Sequence, residues 1–394
     1  MSLSHEKKVK RGCVSAMTNT QSQEQKDLPT DEPLGEVEPV AYFNGAMPTG
    51  VTVSHQGRIF VNFPKWGDEV AFTVSEIRDG GEMVAYPDEA TNQTNSSEPA
   101  AALVSVQSVV VDPADRLWIL DTGSPMFQPT KYGGPKLVCV DLTINKVIKK
   151  ILFPQEVALP TTYLNDVRFD LRRRSQGMAF ITDSSQNGPN GIIVVDLDSG
   201  ASWRRLHDHP STKPEQLKTF LPIVEGRPFL ERQPDGSVKQ GAAMGSDGIA
   251  ISSDGDRLYY CPLGSRKLYS VSTDALADQS LDEQKVSATV IDEGDRGGAS
   301  DGLESDAAGY IYSTNYEHNA ILRRGPDGKW ETVTHDHRLL WPDTLSLATN
   351  SYLYVTANQL HRQARFNKEG RDLRRKPYTL FRIKVNAQPV LLRR

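Results

Sequence analysis

Side chains with carboxylate, amide or hydroxyl oxygens recur at matching places along this chain of 394 residues. The first set consists of single polar residues that each precede a short apolar stretch: Thr49, Gln107, Asn165, Asp247, Asp301 and Asp343. The second set stands where the next apolar stretch ends: Asn62, Asp121, Asp183, Asn315 and Asn358. If folding brings these oxygens together, they could bind Ca²⁺ or Mg²⁺, or hold a polar ligand beside acid and base groups.

Two histidines, a lysine and several aromatic residues lie near these sets in the sequence. Neutral imidazoles move protons near neutral pH, whereas a cation beside a flat ring suits an anionic or aromatic ligand. The candidate catalytic residues are Asp121, Asp301, His318 and His361. The candidate substrate-binding residues are Lys65, Trp66, Gln107, Tyr163, Asn165, Asp183, Asp247, Asn315, Tyr316, Trp341, Asp343 and Asn358.

Each candidate also has a purely structural explanation. Asp and Asn at turns often accept hydrogen bonds from nearby backbone amides, and Asp121 and Asp183 both precede such turns. Aromatic residues pack between sheets by default, and Lys65 could be a solvated loop residue. Both explanations stay open at this point.

The elements that must position these residues are β-hairpins. Six segments share a polar or small pair, a strand with apolar residues at every second position, a polar turn and a second strand; they start at Met47, Val106, Leu164, Gly245, Ala299 and Trp341. Equivalent positions are 58, 58, 82, 54 and 42 residues apart. Intervals of 42 to 58 residues fit four strands per propeller blade, and the period of two argues against helical repeats. The sequence therefore predicts an all-β, six-bladed β-propeller with the polar sets at one mouth of its channel.

The domain boundaries follow from composition and spacing. Residues 1–36 are rich in Ser, Thr, Gln, Glu and Lys, which predicts a disordered N-terminal tail. Residues 37–390 are predicted to form a single propeller, in which the interval of 82 residues indicates an insertion near 205–244. Alternating apolar residues from Tyr378 to Val385 predict a closing strand within a basic segment.

The composition of the chain limits the classes of partner that we expect. The formal net charge of -5 gives no general attraction to nucleic acid, and no apolar run approaches the ~18 residues that would span a membrane. The three cysteines have no CxxC spacing, and the charged start lacks an apolar stretch behind it, so we expect a cytoplasmic protein. Motifs for serine hydrolases, zinc proteases, P-loops and dinucleotide binding are missing. The expected partner is a small-molecule substrate, with neither nucleic acid nor membrane involved.

Several strings in the correct order resemble the yellow/major royal jelly protein family over roughly residues 40–365. They include FNGAMPTGVTVS from Phe43, LWILDTG from Leu117, TYLNDVRFD from Thr162, ITDSS from Ile181, and the later SDGIAIS and WPDTLS. Known members of that family are six-bladed propellers, as the repeat count also predicts. Without a visible secretion signal, the chain looks like the bacterial and fungal branch.

Three function classes remain open. The resemblance favours an enzyme that rearranges a phenolic or quinonoid molecule by acid–base chemistry and positioning, because some members resemble dopachrome-converting tautomerases and similar fungal propellers are associated with hetero-Diels–Alder cyclisation. A non-catalytic binder of small ligands is the second class. A metal-dependent lactone hydrolase is the third, although Thr49 stands where such propellers usually have a Glu ligand. We expect no required cofactor, with Ca²⁺ or Mg²⁺ as the candidate ion and its ligands unassigned.

Overall fold

The computed structural model describes residues 32–93 and 97–394, and strands form most of its regular structure. The described residues form six antiparallel sheets of four strands, the blades of a propeller, which confirms the predicted all-β fold. Blades 1 to 3 contain β2 (Val51–Val53), β3 (Ile59–Asn62), β4 (Val74–Ile77) and β5 (Met83–Ala85); β6 (Val106–Val111), β7 (Arg116–Asp121), β8 (Lys136–Asp141) and β9 (Lys146–Leu152); and β10 (Leu164–Asp170), β11 (Met178–Asp183), β12 (Gly191–Asp196) and β13 (Ser202–Arg205).

The second half of the ring repeats this plan. Blades 4 to 6 contain β18 (Ser246–Ile251), β19 (Arg257–Pro262), β20 (Lys267–Ser272) and β21 (Ile291–Asp295); β22 (Leu303–Ser305), β23 (Ile311–Asn315), β24 (Ala320–Arg324) and β25 (Trp330–His335); and β26 (Pro342–Leu347), β27 (Tyr352–Ala357), β28 (Tyr378–Lys384) and β1 (Glu38–Phe43). The strand β28 occupies the segment whose alternating pattern predicted a strand.

Two small hairpins lie between blades 3 and 4, inside the stretch where the spacing indicated an insertion. They consist of β14 (Ile223–Val224) with β15 (Arg227–Pro228), and β16 (Leu230–Arg232) with β17 (Val238–Gln240). The helices are short: α1 (Glu89–Asn92), α2 (Thr273–Ala277) and α3 (Glu283–Ser287), with 3₁₀ turns at Asp79–Gly81, Pro125–Phe127, Pro210–Thr212, Leu360–Arg362 and Ala364–Phe366. No helix in the described part of the chain is long and apolar enough to cross a membrane.

The two ends of the described chain meet in blade 6. Strand β1 pairs antiparallel with β28, from Glu38 opposite Arg382 to Phe43 opposite Tyr378. The innermost strands β2, β6, β10, β18, β22 and β26 each contact the next, and β26 contacts β2. The ring therefore closes on itself, and no innermost strand is left at an open edge.

The predicted N-terminal tail lies, as far as residue 31, outside the described residues. Leu34 is already fixed to blade 5, because its backbone exchanges hydrogen bonds with His335 in both directions, at 2.9 and 3.0 Å. Beyond this point the chain continues directly into β1.

The hydrophobic core lies between neighbouring blades. Both faces of a blade are covered, so strands such as β7 and β11 are buried almost throughout rather than on alternate residues. Trp118 of blade 2, for example, stacks on Phe169 of blade 3 with ring centroids 5.3 Å apart. This packing fixes the angle between blades and so the positions of the inner strands.

The C-terminal segment crosses the mouth of the channel where the inner hairpins turn. The backbone N–H groups of Ala307 and Leu171 donate to the carbonyls of Gln388 and Leu392, at 2.9 and 2.8 Å. Residues 388–392 thus connect the turns of blades 5 and 3. The starts of the inner strands lie at the other mouth.

Candidate functional site

Five of the six members of the first polar set line one cavity at the start of the inner strands. They are Gln107, Asn165, Asp247, Asp301 and Asp343. The sixth, Thr49, is fully buried and donates from Oγ1 to the carbonyl of Gln107 at 3.3 Å. Equivalent positions in successive blades thus supply the polar lining, with amides from blades 2 and 3 and carboxyls from blades 4 to 6.

β-Bulges place these side chains. In blades 2, 3, 4 and 6 the register between the inner and second strands shifts at the site residue. The shifts lie between Val106 and Ser108, between Leu164 and Val167, between Ser246 and Ile249, and between Pro342 and Leu345. A bulge leaves a residue out of the ladder and re-aims its side chain, which is why bulges accompany functional sites. The polar residues consequently point at the channel axis instead of alternating with their neighbours.

Glycine after the aspartate lets two of the blades approach closely. A Cβ at Gly248 would lie 2.6 Å from the carbonyl oxygen of Asp301, and one at Gly302 would lie 2.3 Å from that of Asp343. Real Cβ atoms do not come so close to backbone, so only glycine fits between these strands. The Asp-Gly pairs therefore bring the three carboxyl-bearing strands together.

Threonines of the second strands hold the bulged backbone. Thr182 Oγ1 accepts from the N–H of Asp166 at 3.3 Å and donates to the carbonyl of Asp247 in the next blade at 2.7 Å. Thr356 Oγ1 likewise donates to the carbonyl of Thr49 at 2.6 Å across the closing junction of the ring. These bonds satisfy backbone groups that the bulges release from the ladder.

Asp247 and Asp301 form a coupled carboxyl pair. Asn165 Nδ2 donates to Asp247 Oδ1 at 2.6 Å, and Trp341 Nε1 donates to Asp301 Oδ2 at 2.7 Å. Burial raises the pKa of both carboxyls, that of Asp301 to about 6 and that of Asp247 well above its ordinary value, and a hydrogen bond joins them. Two close carboxyls in a dry site share a proton rather than both ionising. The pair can therefore offer both a proton donor and a proton acceptor.

Asp343 is the third carboxyl of the cavity. Asn358 Nδ2 donates to its Oδ2 at 2.6 Å, and the Thr344 hydroxyl donates to its Oδ1 at 3.2 Å. Burial, followed by the charge of Asp301, raises the pKa of Asp343 well above its ordinary value. A neutral Asp343 offers a further hydrogen-bond donor to a ligand.

An aromatic wall separates the carboxyls from a wider outer vestibule. Trp66 and Phe127 stack with ring centroids 5.3 Å apart, and the Arg365 guanidinium lies 5.4 Å from the centre of the Phe127 ring. These three side chains line both spaces, of which the inner measures about 20 Å³ and the outer about 370 Å³. Only a water-sized group fits among the carboxyls, whereas a ring fits in the vestibule.

Tyr163 packs behind this wall and connects Trp66 to Gln107 of the polar set through hydrogen bonds. Its hydroxyl accepts from Trp66 Nε1 at 2.7 Å and donates to Gln107 Oε1 at 3.0 Å. Burial raises the pKa of the Tyr163 hydroxyl well above 10, so it stays protonated. The orientation of Trp66 is thereby fixed by a hydrogen bond as well as by packing.

Phe127 of the wall and Trp341, which donates to Asp301, have a strained backbone. Phe127 and Trp341 adopt left-handed conformations, with φ of 56° and 57°. Such a conformation costs a bulky residue roughly 1–2 kcal/mol and concentrates at ligand sites.

Two carboxyls of the second polar set do not line the cavity. Asp121 is completely buried in an ion pair with Lys136, at 2.8 Å, and accepts from the N–H groups of Val104, Ser105 and Gly123. Its contacts are those of a structural cap, and Asp121 is absent from the described lining of the cavity, so its catalytic role stays a prediction without a contact to support it.

Asp183 repeats this arrangement in blade 3. It pairs with Arg204 at 2.9 Å and accepts from the Thr162 hydroxyl and the Tyr163 N–H, both at 2.9 Å. Asp183 therefore anchors the loop that carries Tyr163 and does not reach the substrate position proposed from the sequence.

His318 and Asn315 also lie outside the carboxyl-bearing cavity. His318 is exposed, and the two line a separate surface depression on blade 5, away from the carboxyls. Lys65 is absent from the described lining of both the cavity and the vestibule; its backbone N–H donates to Ser105 Oγ at 3.0 Å.

His361 is buried outside the cavity, against the back of Trp341. Its ring stacks on Trp341 with centroids 5.8 Å apart, and Nε2 lies 2.7 Å from Glu225 Oε2. Tyr316 stacks on the same indole at 4.1 Å and donates its hydroxyl to the Leu263 carbonyl. Trp341 is thus held between two rings, and its N–H is the part that reaches the site.

The sequence prediction did not include many of the residues that line the cavity. The additional lining residues are Phe127, Gln186, Gly241, Met244, Leu263, Leu360, Arg365 and Phe366. Most of them lie in loops that connect the second and third strands within a blade, whereas Gly241 and Met244 precede blade 4, and the repeated hairpin pattern marks none of them. The Asp-Gly pairs were the one available signal for close packing of the carboxyls.

The Ca²⁺ or Mg²⁺ named as candidate ion from the sequence stays a prediction. No group of three or more His, Cys, Asp or Glu in residues 32–93 and 97–394 is arranged to hold a metal ion. Asp121 and Asp183, two of the acids considered as ligands, are already paired with cations.

Six four-stranded blades around a channel define a β-propeller, with a cavity lined by buried carboxyls at one mouth. The chain belongs to the major royal jelly protein family, whose family model matches residues 104–385. The resemblance drawn from the sequence strings is confirmed.

Relatives and solved structures extend this comparison. Protein yellow of Drosophila erecta is 28% identical over 252 residues, which cover 60% of this chain and 43% of that protein. The chain thus aligns with less than half the length of this relative. A calcium-binding regucalcin from Agrobacterium tumefaciens superposes with a TM-score of 0.53 at 13% identity, covering 89% of this chain and 95% of that one. A gluconolactonase from Xanthomonas campestris gives 0.51 at 12% identity, with 91% and 98% covered. Both likenesses concern the fold alone.

Proposed function

We propose that this propeller is an enzyme that moves a proton within a small phenolic or quinonoid molecule, as a tautomerase or isomerase does. The observation that supports this most is the carboxyl pair of Asp247 and Asp301. Burial raises the pKa of both, and two close carboxyls that share a proton provide the acid and the base that such catalysis needs.

In the proposed reaction, Asp301 removes a proton from a carbon or hydroxyl next to the substrate carbonyl. Asp247 delivers its proton to the carbonyl oxygen, so one C–H or O–H bond breaks and one O–H bond forms. No electrons leave the substrate, and no co-reactant is needed. Asp301 then returns its proton to a different carbon while Asp247 takes its proton back from the enol oxygen, so the product is an isomer and both carboxyls regain their starting state.

The aromatic wall supports the substrate class. Trp66 and Phe127 offer stacking faces in the vestibule, and Arg365 supplies a cation beside them. The inner cavity admits only a group of about one heavy atom, such as a carbonyl or hydroxyl oxygen. A ring in the vestibule with one oxygen directed at the carboxyls fits both spaces.

The test uses L-dopachrome, a quinonoid probe, and follows the loss of its colour. Asp301→Asn and Asp247→Asn should each lower kcat by about 10²- to 10⁴-fold with unchanged folding, because each removes a proton-transfer group. Trp66→Ala should mainly raise KM. The matched control is Asp235→Asn, on an exposed hairpin turn of the insertion, which should keep full activity.

A non-catalytic role in ligand binding is the second candidate, and the same experiment separates it. If the wild-type protein binds the probe without converting it, and Trp66→Ala alone weakens binding, the cavity is a binding site and the catalytic proposal is wrong.

A further inference from the structure

A second cavity of about 280 Å³ lies between the insertion hairpins and the 3₁₀ turns of residues 360–366. Its wall includes Phe229 and Phe366, whose ring centroids are 4.5 Å apart. Phe366 also lines the carboxyl-bearing cavity, so this one ring stands between the two spaces. The second cavity is therefore close to the proposed active site and distinct from it.

The charged residues on the wall of this cavity are all cations: Arg227, Arg232 and Lys368. Two carboxylates lie on the same hairpins. Glu225 bonds to His361 and Arg362 and lies 4.0 Å from Arg227, while Glu231 pairs with Lys239 at 3.4 Å, so the rim keeps an excess of positive charge. An anionic group is thus the complement of this rim.

His361 supplies an unusual polar group to the same wall. The residue is 6% exposed, and its Nδ1 has no hydrogen-bond partner among the described residues. Since ionised Glu225 can only accept, the proton of the neutral ring sits on Nε2 at 2.7 Å from it, and Nδ1 is an acceptor. A buried acceptor without a partner is costly, so a ligand that donates a hydrogen bond there gains affinity.

We propose that this cavity binds a small aromatic acid that carries a hydroxyl group. The ring packs on Phe229 and Phe366, the carboxylate meets the cationic rim, and the hydroxyl donates to Nδ1 of His361. The ring, the carboxylate and the hydroxyl of the ligand thus match the aromatic pair, the cationic rim and the free acceptor of this one cavity. The site is independent of the chemistry proposed for Asp247 and Asp301.

Calorimetric titration with three probes tests the ligand class. 4-Hydroxyphenylacetate should bind with a Kd below ~1 mM, and phenylacetate, which lacks the hydroxyl, should bind about tenfold more weakly. Tyramine, which keeps the ring and hydroxyl but carries a cation, should bind more weakly still. Equal affinity for the two acids, or no binding up to ~10 mM, overturns the proposal.

Substitutions in and beside the second cavity test whether the aromatic acids bind there. Arg227→Gln with Arg232→Gln should weaken both acids at least ~10-fold, whereas Lys239→Gln, on the same hairpin but outside the described lining, should change neither. His361→Phe keeps the stacking ring and should abolish the preference for the hydroxyl. Melting curves recorded beside each titration identify a variant that fails to fold, and the arginine pair then decides alone.

A different location gives a different result. If Asp301→Asn abolishes binding while the arginine variants retain it, the acid occupies the carboxyl-bearing cavity and the second site is disproved. Failure of the dopachrome assay, in contrast, leaves the expected titration results unchanged. The two proposals can therefore fail separately.

Discussion

Acidic residues occupy two neighbouring layers of the same propeller mouth and behave differently in each. At the ends of the second strands, Asp121 and Asp183 have cations within 2.9 Å. At the starts of the inner strands, the partners of the Asp247 and Asp301 side chains within residues 32–93 and 97–394 are neutral N–H donors and each other. A cation keeps a buried carboxylate ionised and occupied, whereas neutral donors leave a proton to be exchanged. The partner, more than the residue type or its place in the repeat, separates a structural acid from a chemical one.

Breaking an ion pair of the outer layer should have the largest effect. Asp121→Asn leaves Lys136, which is fully buried, without its counter-charge, so the free energy of unfolding should fall by about 3–5 kcal/mol. Urea denaturation measures this loss. Asp235→Asn, on an exposed turn, serves as the control and should unfold like the wild type. A stable Asp121→Asn protein with a large loss of turnover would support the catalytic role predicted for Asp121 from the sequence.

A substitution that moves the inner carboxyls apart should have the second-largest effect on stability. Gly302→Ala places a Cβ against the Asp343 carbonyl, so the strands must part, at a cost of about 1–3 kcal/mol. Turnover should fall more than stability explains, because the spacing of the carboxyls changes. Gly45→Ala, where a Cβ meets nothing within 4 Å, is the matched control. Full activity in Gly302→Ala would show that close packing of these strands is unimportant for the chemistry.

Neutralising an inner carboxyl should change stability with the opposite sign. The pKa of Asp301 rises from 3.8 to about 6 on folding, so its contribution to stability is complete below pH 3.8 and is lost as pH rises through about 6. Asn does not ionise, so the free energy of unfolding of Asp301→Asn should exceed that of the wild type by at most about 3 kcal/mol at pH 8 and should equal it at pH 3.5. Denaturant titrations at both pH values check this difference. A variant that is weaker at pH 8 would mean that Asp301 gains more from its contacts than burial costs it.

The repeat made the blades and the polar ring predictable from sequence. Period-two alternation and spacing are local properties, and they placed Gln107, Asn165, Asp247, Asp301 and Asp343 at one mouth. The bulges that aim these residues arise from pairing between strands and leave no separate mark in the sequence. Neither do the partners of the outer acids, since Lys136 and Arg204 belong to the third and fourth strands of their blades.

The loops were the least predictable part. Phe127 and Arg365 lie in connections whose course depends on the packing of blades 1, 2 and 6. His361 was chosen for its proton chemistry, but its contact with Glu225 spans 136 residues of sequence, and it faces the second cavity. Such long-range contacts are set by tertiary structure and cannot be read from spacing.

The pairing of β1 with β28 has a consequence for synthesis of the chain. Tyr42 lies opposite Thr379, so the first strand of the described fold waits for a partner that the ribosome makes some 337 residues later. At about 5–20 residues per second this delay is roughly 20–70 s. During that time five blades can emerge in order, while β1 keeps an exposed hydrogen-bonding edge that other nascent chains can reach. The last strand to leave the ribosome is therefore the one that ends the risk of aggregation.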